Sequence, residues 1–547
     1  MESVNTLERR WIGDRNALQI GVEALTSALD EVVKPLFVVE DNGQPAVSHQ
    51  GVMQWEPPSD HKDSVGLPLL GFAPPLSPSQ LGDAGFKRDL GLKYAYVVGA
   101  MANGITSVEM VAAAGKAGMV GFFGAGGLSL EQIETAIRRL QPFQNDFPIG
   151  FNLIHSPSDM ALEMKTAQLY LQNGIRLISA SAYLGLTLPL VYYRVKGIHR
   201  SNDGTVVCPN HVIAKVSREE VAAKFFAPPP EKFLNQLVSD RLITDEEAAL
   251  AKQIPMAQDI TAEADSGGHT DNRPALSLLP TFLALRNDAM GRYRFSAPLR
   301  VGLGGGIATP EAAAAAFAMG AAYILTGSIN QAAVEADTSE SVREMLVEAR
   351  QADVTMAPSA DMFELGARVQ VLKRGTMFAM RAAKLYELYR SHSKFDELPE
   401  KMRTMIERNL LRSTYEEAWR QTRHFFQSRD PHQIERAAAS PKHEMALVFR
   451  SYLGQSSLWA KTGVPDRKID YQIWCGPAMG AFNSWVKGSF LEDQSNRYTA
   501  VMAMNLMYGA ARLMRCQWLQ SQGVVIPAET VSFRPLQPEV IETRIRN

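Results

Sequence analysis

Cysteine is scarce: the 547 residues hold three, Cys208, Cys475 and Cys516, far apart and without a Cys-x-x-Cys pair. Neither a disulfide framework nor a zinc ribbon is expected, and no metal centre. An excess of one charge is also missing. Fifty-six Lys and Arg stand against 58 Asp and Glu, a formal net charge of −2, which excludes a strongly basic nucleic-acid binder and an acidic disordered tail. The longest apolar stretch, Ala312–Leu325, contains Gly320 and is too short to span a membrane. The opening Met-Glu-Ser-Val-Asn-Thr-Leu-Glu-Arg-Arg lacks the basic-then-apolar run of a signal peptide. What remains is 46% apolar and 21% charged, the composition of a soluble, cytoplasmic globular protein. At roughly 150 residues per domain the length suggests three or four domains, although one α/β barrel absorbs about 250 residues.

Residues 1–90 read as a small accessory domain. Prolines 57, 58, 68, 74, 75 and 78 suit loops and edges, because each removes a donor and fixes φ, and Leu36–Val39 is a short β-like run. Over 91–330 the pattern changes to short apolar runs alternating with helical-period segments, as parallel strands covered on both faces do. Strands are predicted near Tyr94–Ala102, Met119–Phe123, Pro148–Ile154, Ile175–Ser179, His211–Val216, Asp259–Ala264, Leu299–Gly304 and Tyr323–Thr326. Helices fit Ser107–Ala117, Leu130–Leu140, Ser158–Gln172, Leu186–Lys196, Ala275–Met290 and Pro310–Met319. Eight βα units match a (β/α)8 TIM barrel better than an open sheet. A helical insertion, 217–256, precedes the sixth strand. Residues 331–547 form a mainly helical extension, with helices at Ser341–Ala352, Arg381–Tyr389, Lys401–Phe426 and Val501–Leu519.

A barrel of this kind places its active site at the C-terminal ends of the strands, with phosphate in the loops after the seventh and eighth. Those loops are Gly302-Leu-Gly-Gly-Gly306 and Thr326-Gly-Ser328. Glycine N–H groups just ahead of the helix at Thr309-Pro310 can converge on an anion, or the glycines can simply permit tight turns. Glu263-Ala-Asp-Ser-Gly-Gly-His269 closes the sixth strand, so its glycines admit a flat ligand and His269 reaches the same rim, with Asp265 nearby. Asn152 ends the third strand. Other chemistries fail by inspection. Gly124-Ala-Gly126 is not completed to Gly-x-Gly-x-x-Gly, there is no Gly-Lys-Ser/Thr loop and no Gly-x-Ser-x-Gly elbow, and His443-Glu444 lacks the second His of a zinc protease.

Val98-Gly-Ala-Met-Ala-Asn-Gly104, Gly150-Phe-Asn-Leu153, Ser266-Gly-Gly-His269, Gly305-Gly-Ile307 and Thr326-Gly-Ser328 together resemble the superfamily of FMN-dependent nitronate monooxygenases and flavin enoyl reductases. Three longer stretches, Asp265–Pro274, Val371–Arg381 and Asp470–Phe482, are similar to its PfaD-type, trans-acting enoyl reductase branch, which serves polyunsaturated fatty acid and polyketide synthases. The resemblance implies that Ala100, Met101 and Ala102 line the flavin ring and that Asn152 contacts its polar edge or ribityl chain. Gly267 and Gly268 would let their loop approach the cofactor, and Gly305, Gly306, Thr326, Gly327 and Ser328 would hold the FMN phosphate. His269 aligns with the active-site His. Two positions depart: Ala262 stands where relatives carry Gln or Glu, and Asn103 where many carry Gly.

The implied reaction reduces 2-enoyl thioesters on acyl carrier protein domains, with NADPH as co-substrate, FMN as carrier of the hydride, and His269 as proton or oxyanion partner. A homodimer is the expected assembly, and no nucleic acid is a partner. The alternatives are a nitronate monooxygenase-like flavin oxidase and a non-catalytic docking subunit of a synthase. Lys373, Arg374 and Arg381 read as a basic helical stretch suited to an acidic carrier or an NADPH phosphate, or as a solvated helix face.

Overall fold

A computed structural model describes residues 8–56, 66–156 and 160–546. Pro57, Pro58 and the predicted helix start at Ser158 lie outside those residues. Eight parallel strands close into a barrel in chain order: Tyr96–Val98, Val120–Phe123, Ile149–Ile154, Leu177–Ser181, His211–Val216, Asp259–Glu263, Arg300–Gly304 and Ile324–Thr326. The eighth pairs with both the seventh and the first. Each predicted strand contains or overlaps one of these. The runs are short and apolar because one side faces the lumen and the other faces helices, so no polar alternation is left to see.

Helix starts follow local chemistry. Ser129 and Gln132 form a capping box at Leu130–Leu140, and Thr309 accepts a hydrogen bond from Ala312 N ahead of Pro310. Each satisfies N–H groups that the first turn leaves unpaired. The insertion before the sixth strand is three helices, Glu219–Phe226, Glu231–Ser239 and Asp245–Ala251.

The N-terminal end of the barrel is plugged by the helix Ala84–Leu90, whose Phe86 stacks on Tyr323 at 4.3 Å. Beneath it Arg300 bonds Asp259 through Nε (2.6 Å) and Nη2 (3.0 Å), and Asp89 through Nη1 (2.8 Å). The N-terminal residues build a six-stranded antiparallel sheet that includes Leu36–Asp41. Its link to the rest is the helix Thr499–Gln520: Cys516 and Leu519 pack with Leu29 and Val38, and Arg515 donates to the carbonyls of Leu29, Glu31 and Lys34 at the end of the helix Val22–Asp30. Leu29 sits in the last turn of that helix, where carbonyls lack a partner within the helix.

The extension is less regular than its sequence suggests. The predicted helix Lys401–Phe426 is broken: Glu400–Met405 passes into a π-turn, Ile406–Leu411, Arg412 takes φ +57°, and a new helix runs Tyr415–Arg429 behind the Thr414 cap. Two strands, Val354–Pro358 and Arg368–Leu372, form a hairpin in a stretch of the mainly helical extension for which the sequence predicts no element. A 22-residue helix, Pro441–Thr462, was also missed. The basic stretch is not one helix face. Lys373 and Arg374 lie in the turn after the hairpin, Arg374 faces Glu348 and Asp353, and Arg381 is spent on buried Asp470. No helix among the described residues is long and apolar enough to cross a membrane.

Candidate active site

Side chains alternate between lumen and helices along each strand, and the packing shows which is which. Val97, Val120, Phe122, Leu177, Ile213, Tyr323 and Leu325 share one interior cluster. Asn152, Ser181, Lys215 and Glu263 are therefore in phase with the lumen at the C-terminal ends of strands three to six. They make a continuous polar arc. Asn152 Nδ2 donates to Ser179 O (2.9 Å) and Ser181 Oγ (3.1 Å), and Lys215 Nζ donates to Glu263 Oε1 at 2.6 Å. Ser266 Oγ donates to the same Glu263 oxygen at 3.0 Å. The opposite half of the rim carries no such groups: Gly304 and Leu325 occupy the equivalent places. Lys215, Glu263 and Ser181 escaped the sequence reading; counting in twos from Ile213 and Thr261 would have placed the first two at the mouth. The same count explains Ala262, which faces the outer helices while Glu263 supplies the carboxylate on the lumen side.

The glycines of the rim divide into two kinds. A Cβ on Gly267 would lie 3.0 Å from the backbone of Cys475, and one on Gly305 would lie 2.7 Å from Ala264 and 2.8 Å from Asp265. These two let chain approach chain, so the close approach expected of Gly267 toward a cofactor is made instead to the extension. Gly268, Gly306 and Gly327 have nothing within 4 Å of the same position, leaving an open cradle on three successive loops. Gly268 and Gly306 also hold φ at +79° and +76°, which other residues adopt only at a cost.

Thr326 does not present its hydroxyl to that cradle. It faces outward with Ile324, 2% exposed, between Tyr96 OH (2.7 Å) and Asn330 Nδ2 (3.0 Å). Its hydroxyl is thus engaged within the barrel wall. Ser328 opens the short helix Ser328–Gln331, and its Oγ accepts from Gly476 N at 3.0 Å. Ala100, Met101 and Ala102 form the partly exposed loop after the first strand, which folds back on itself: Met101 N donates to Thr106 Oγ1 at 2.8 Å and Thr106 Oγ1 to Gly99 O at 2.9 Å.

The extension reaches over this rim. Cys475–Gly476 touches the loops after strands six and eight, and Lys461 Nζ donates to Asn103 O after strand one while meeting Asp337 at 2.8 Å. The short strand Gly268–His269 pairs with Val369–Gln370 of the hairpin. Gln370 Nε2 donates to Asp265 Oδ1 (2.7 Å) and Ser266 O (2.8 Å). His269 Nε2 lies 3.1 Å from Asp361 Oδ1. Burial opposes the charged ring, yet the Asp361 carboxylate outweighs it and raises the His269 pKa above its ordinary value; Lys215 works against the shift and Glu263 with it. His269, Lys215 and Glu263 thus act on one another across the mouth.

Chemically, the site offers a polar arc, an open glycine cradle and an imidazole paired with a carboxylate. These fit a flat, phosphate-bearing ligand whose ring edge can hydrogen-bond while its phosphate meets backbone N–H groups.

Comparison with known proteins places these features. Residues 86–388 match the family model for nitronate monooxygenase, and residues 392–471 match that for the inserted helical domain of [acyl-carrier-protein] S-malonyltransferase. The polyketide biosynthesis protein PksE of Bacillus subtilis is 46% identical over 440 residues, 80% of this chain and 57% of PksE. A polyunsaturated fatty acid synthase component from Thraustochytrium is 41% identical across 92% of this chain and 33% of its own length. The chain therefore spans just over half, or less, of these curated relatives. Among solved structures, the enoyl reductase domain of MlnA, from the macrolactin cluster of Bacillus amyloliquefaciens, superposes with a TM-score of 0.77 at 39% identity, covering 81% of this chain and 99% of that domain.

Proposed function

The chain belongs to the nitronate monooxygenase family, and from that premise we propose that it is an enoyl reductase that uses FMN and NADPH on 2-enoyl thioesters carried by an acyl carrier protein. The observation that carries this reading is the superposition on 99% of a solved enoyl reductase domain at 39% identity. Hydride transfer from NADPH to the thioester β-carbon is the chemistry that FMN supplies when bound.

The protein's own residues do the rest. Gly306 and Gly327, with the N–H groups beside Ser328, would hold the phosphate in the open cradle, and Gly268 would leave room beside the ring. Ala100, Met101 and Ala102 would flank the ring, with Asn152 at its polar edge. Negative charge develops on the thioester oxygen as the β-carbon is reduced, and a proton must reach the α-carbon. His269, whose pKa the Asp361 carboxylate raises, would be the donor for one of these demands. Exclusion of water falls to the extension, which already covers the rim at Gly267, Ser328 and Asn103. The helical segment 392–471, matched to a domain of carrier-protein transferases, supports a carrier-protein partner, and the relatives in polyketide and polyunsaturated fatty acid synthases support that biosynthetic setting.

The test is a visible absorbance spectrum of the purified protein followed by anaerobic NADPH. Flavin bands bleached by NADPH and restored by a 2-enoyl thioester are expected, and His269→Ala should retain flavin while losing roughly a hundredfold or more in turnover. Colourless protein, or oxygen consumption with an alkyl nitronate and no NADPH oxidation, would overturn the reading.

A further inference from the structure

The residue that orients His269 comes from outside the barrel. Among the described residues its ring has one hydrogen-bond partner, Asp361, in the turn of the extension's hairpin. An ionised carboxylate only accepts, so Nε2 carries a proton and Nδ1 is the nitrogen left for a ligand. Asp361 is itself held: Ser359 Oγ donates to the same Oδ1 at 2.6 Å. Its turn is pinned from behind, with Arg450 Nε donating to Ala360 O (2.8 Å) and Glu364 paired with His443 (3.0 Å). The hairpin also grips the His269 backbone through Val369. Backbone and ring are thus fixed by one element.

Stability does not account for this arrangement. The Asp361 side chain is 58% exposed and that of His269 39%, and pairs so open to water contribute little to folding. We propose that Asp361 is a positioning residue for enoyl reduction: it holds the His269 ring through Nε2–H and so leaves Nδ1 as the nitrogen that can meet a ligand. The inference rests on the function proposed above. The charged groups facing the pair are Lys215 and Glu263 from the barrel and Arg450 from the helix Pro441–Thr462.

The experiment uses the full-length, flavin-loaded protein, its isosteric variant Asp361→Asn, and Asp361→Glu. The His269 ring is followed by NMR with isotope-labelled histidine, its signal assigned by loss in His269→Ala. Asp361→Asn should lower the His269 pKa, because the carboxylate that favours the charged ring is gone. The limb of the kcat/KM pH profile that follows His269 should move with it. Turnover of a 2-enoyl pantetheine thioester at pH 7 should fall roughly tenfold or more, with KM little changed, and Asp361→Glu should recover part of the loss. Ser359→Ala, which removes one hydrogen bond from the carboxylate, should shift the titration the same way by less. An unmoved His269 titration, or a moved titration with wild-type kcat, overturns the inference. If instead His269→Ala turns over at the wild-type rate, the role proposed for His269 fails, and the NMR shift separates that result from a failure of Asp361 to hold the ring.

Discussion

At the N-terminal end of the barrel Arg300 lies between Asp259 and Asp89 with 3% of its side chain exposed; at the other end Lys215 meets Glu263 with 24% exposed. Both are cation–carboxylate pairs on neighbouring strands, yet they are built for different work. The lower pair is bidentate, under a plug of Phe86 and Tyr323, where a lone charge has nowhere to go. The upper pair keeps water on one side and shares Glu263 with Ser266, so a ligand can take over part of its hydrogen bonding without leaving a buried charge. Each end also carries a histidine. Burial, with Arg194 and Arg300 close by, depresses the His211 pKa to about 4, while Asp361 raises that of His269 against burial. One ring is pushed toward its neutral form by its surroundings, the other toward its charged form. Conserving structure and leaving chemistry possible are separate tasks in a barrel, assigned to opposite ends.

Replacing Arg300 with Leu should give the largest effect on folding. It strands Asp259 without its partner, at a cost of about 3–5 kcal/mol, read as a lower midpoint in urea unfolding. Were the loss no larger than for a surface pair, the lower cluster would not be the structural one.

Acid tests the histidines. The unfolded chain protonates His211 near pH 6.5 and the folded chain only near pH 4. Its contribution is therefore complete above about pH 6.5 and falls away as pH drops through 4, by at most about 3 kcal/mol. His211→Gln should flatten that acid limb in unfolding measured from pH 7 to 4. His269 has the opposite sign: what it adds is present below its ordinary pKa and lost as pH rises through the raised one, and water screens it to under about 1 kcal/mol.

The smallest change in stability is expected at the mouth. Lys215→Met should alter unfolding by under about 1 kcal/mol while weakening flavin retention, followed by absorbance after dialysis. A large stability loss with intact flavin binding would make the two ends alike.

The barrel was legible because its signals are local. Each strand is a short apolar run, and Thr309-Pro310 or Ser129 marks where a helix begins. The positions of His269, Asn152, Gly306 and Gly327 at the rim were legible because strand ends in a barrel have a known place. Lys215 and Glu263 were hidden by context: a Lys in Ala-Lys-Val reads as an exposed interruption until alternation with Ile213 puts it in the lumen. The orientation of Thr326 was hidden for the same reason in reverse, since its phase turns it toward Asn330. Asp361 had no local signal at all. It meets His269 only because a hairpin of the extension pairs with two residues of a barrel loop, and nothing in Ser359-Ala-Asp361 announces a partner 92 positions away.

The contact of Gly267 with Cys475 and Gly476 has a bearing on the order of events in folding. All eight barrel strands leave the ribosome before the segment that seats against Gly267 and Ser328 has been made, and closing a loop of roughly two hundred residues carries a heavy entropic cost. The barrel can form early, with its rim loops unsecured, and the site matures only when the last third of the chain docks. A nascent chain released before that point would hold the barrel strands without the contacts that secure their rim loops.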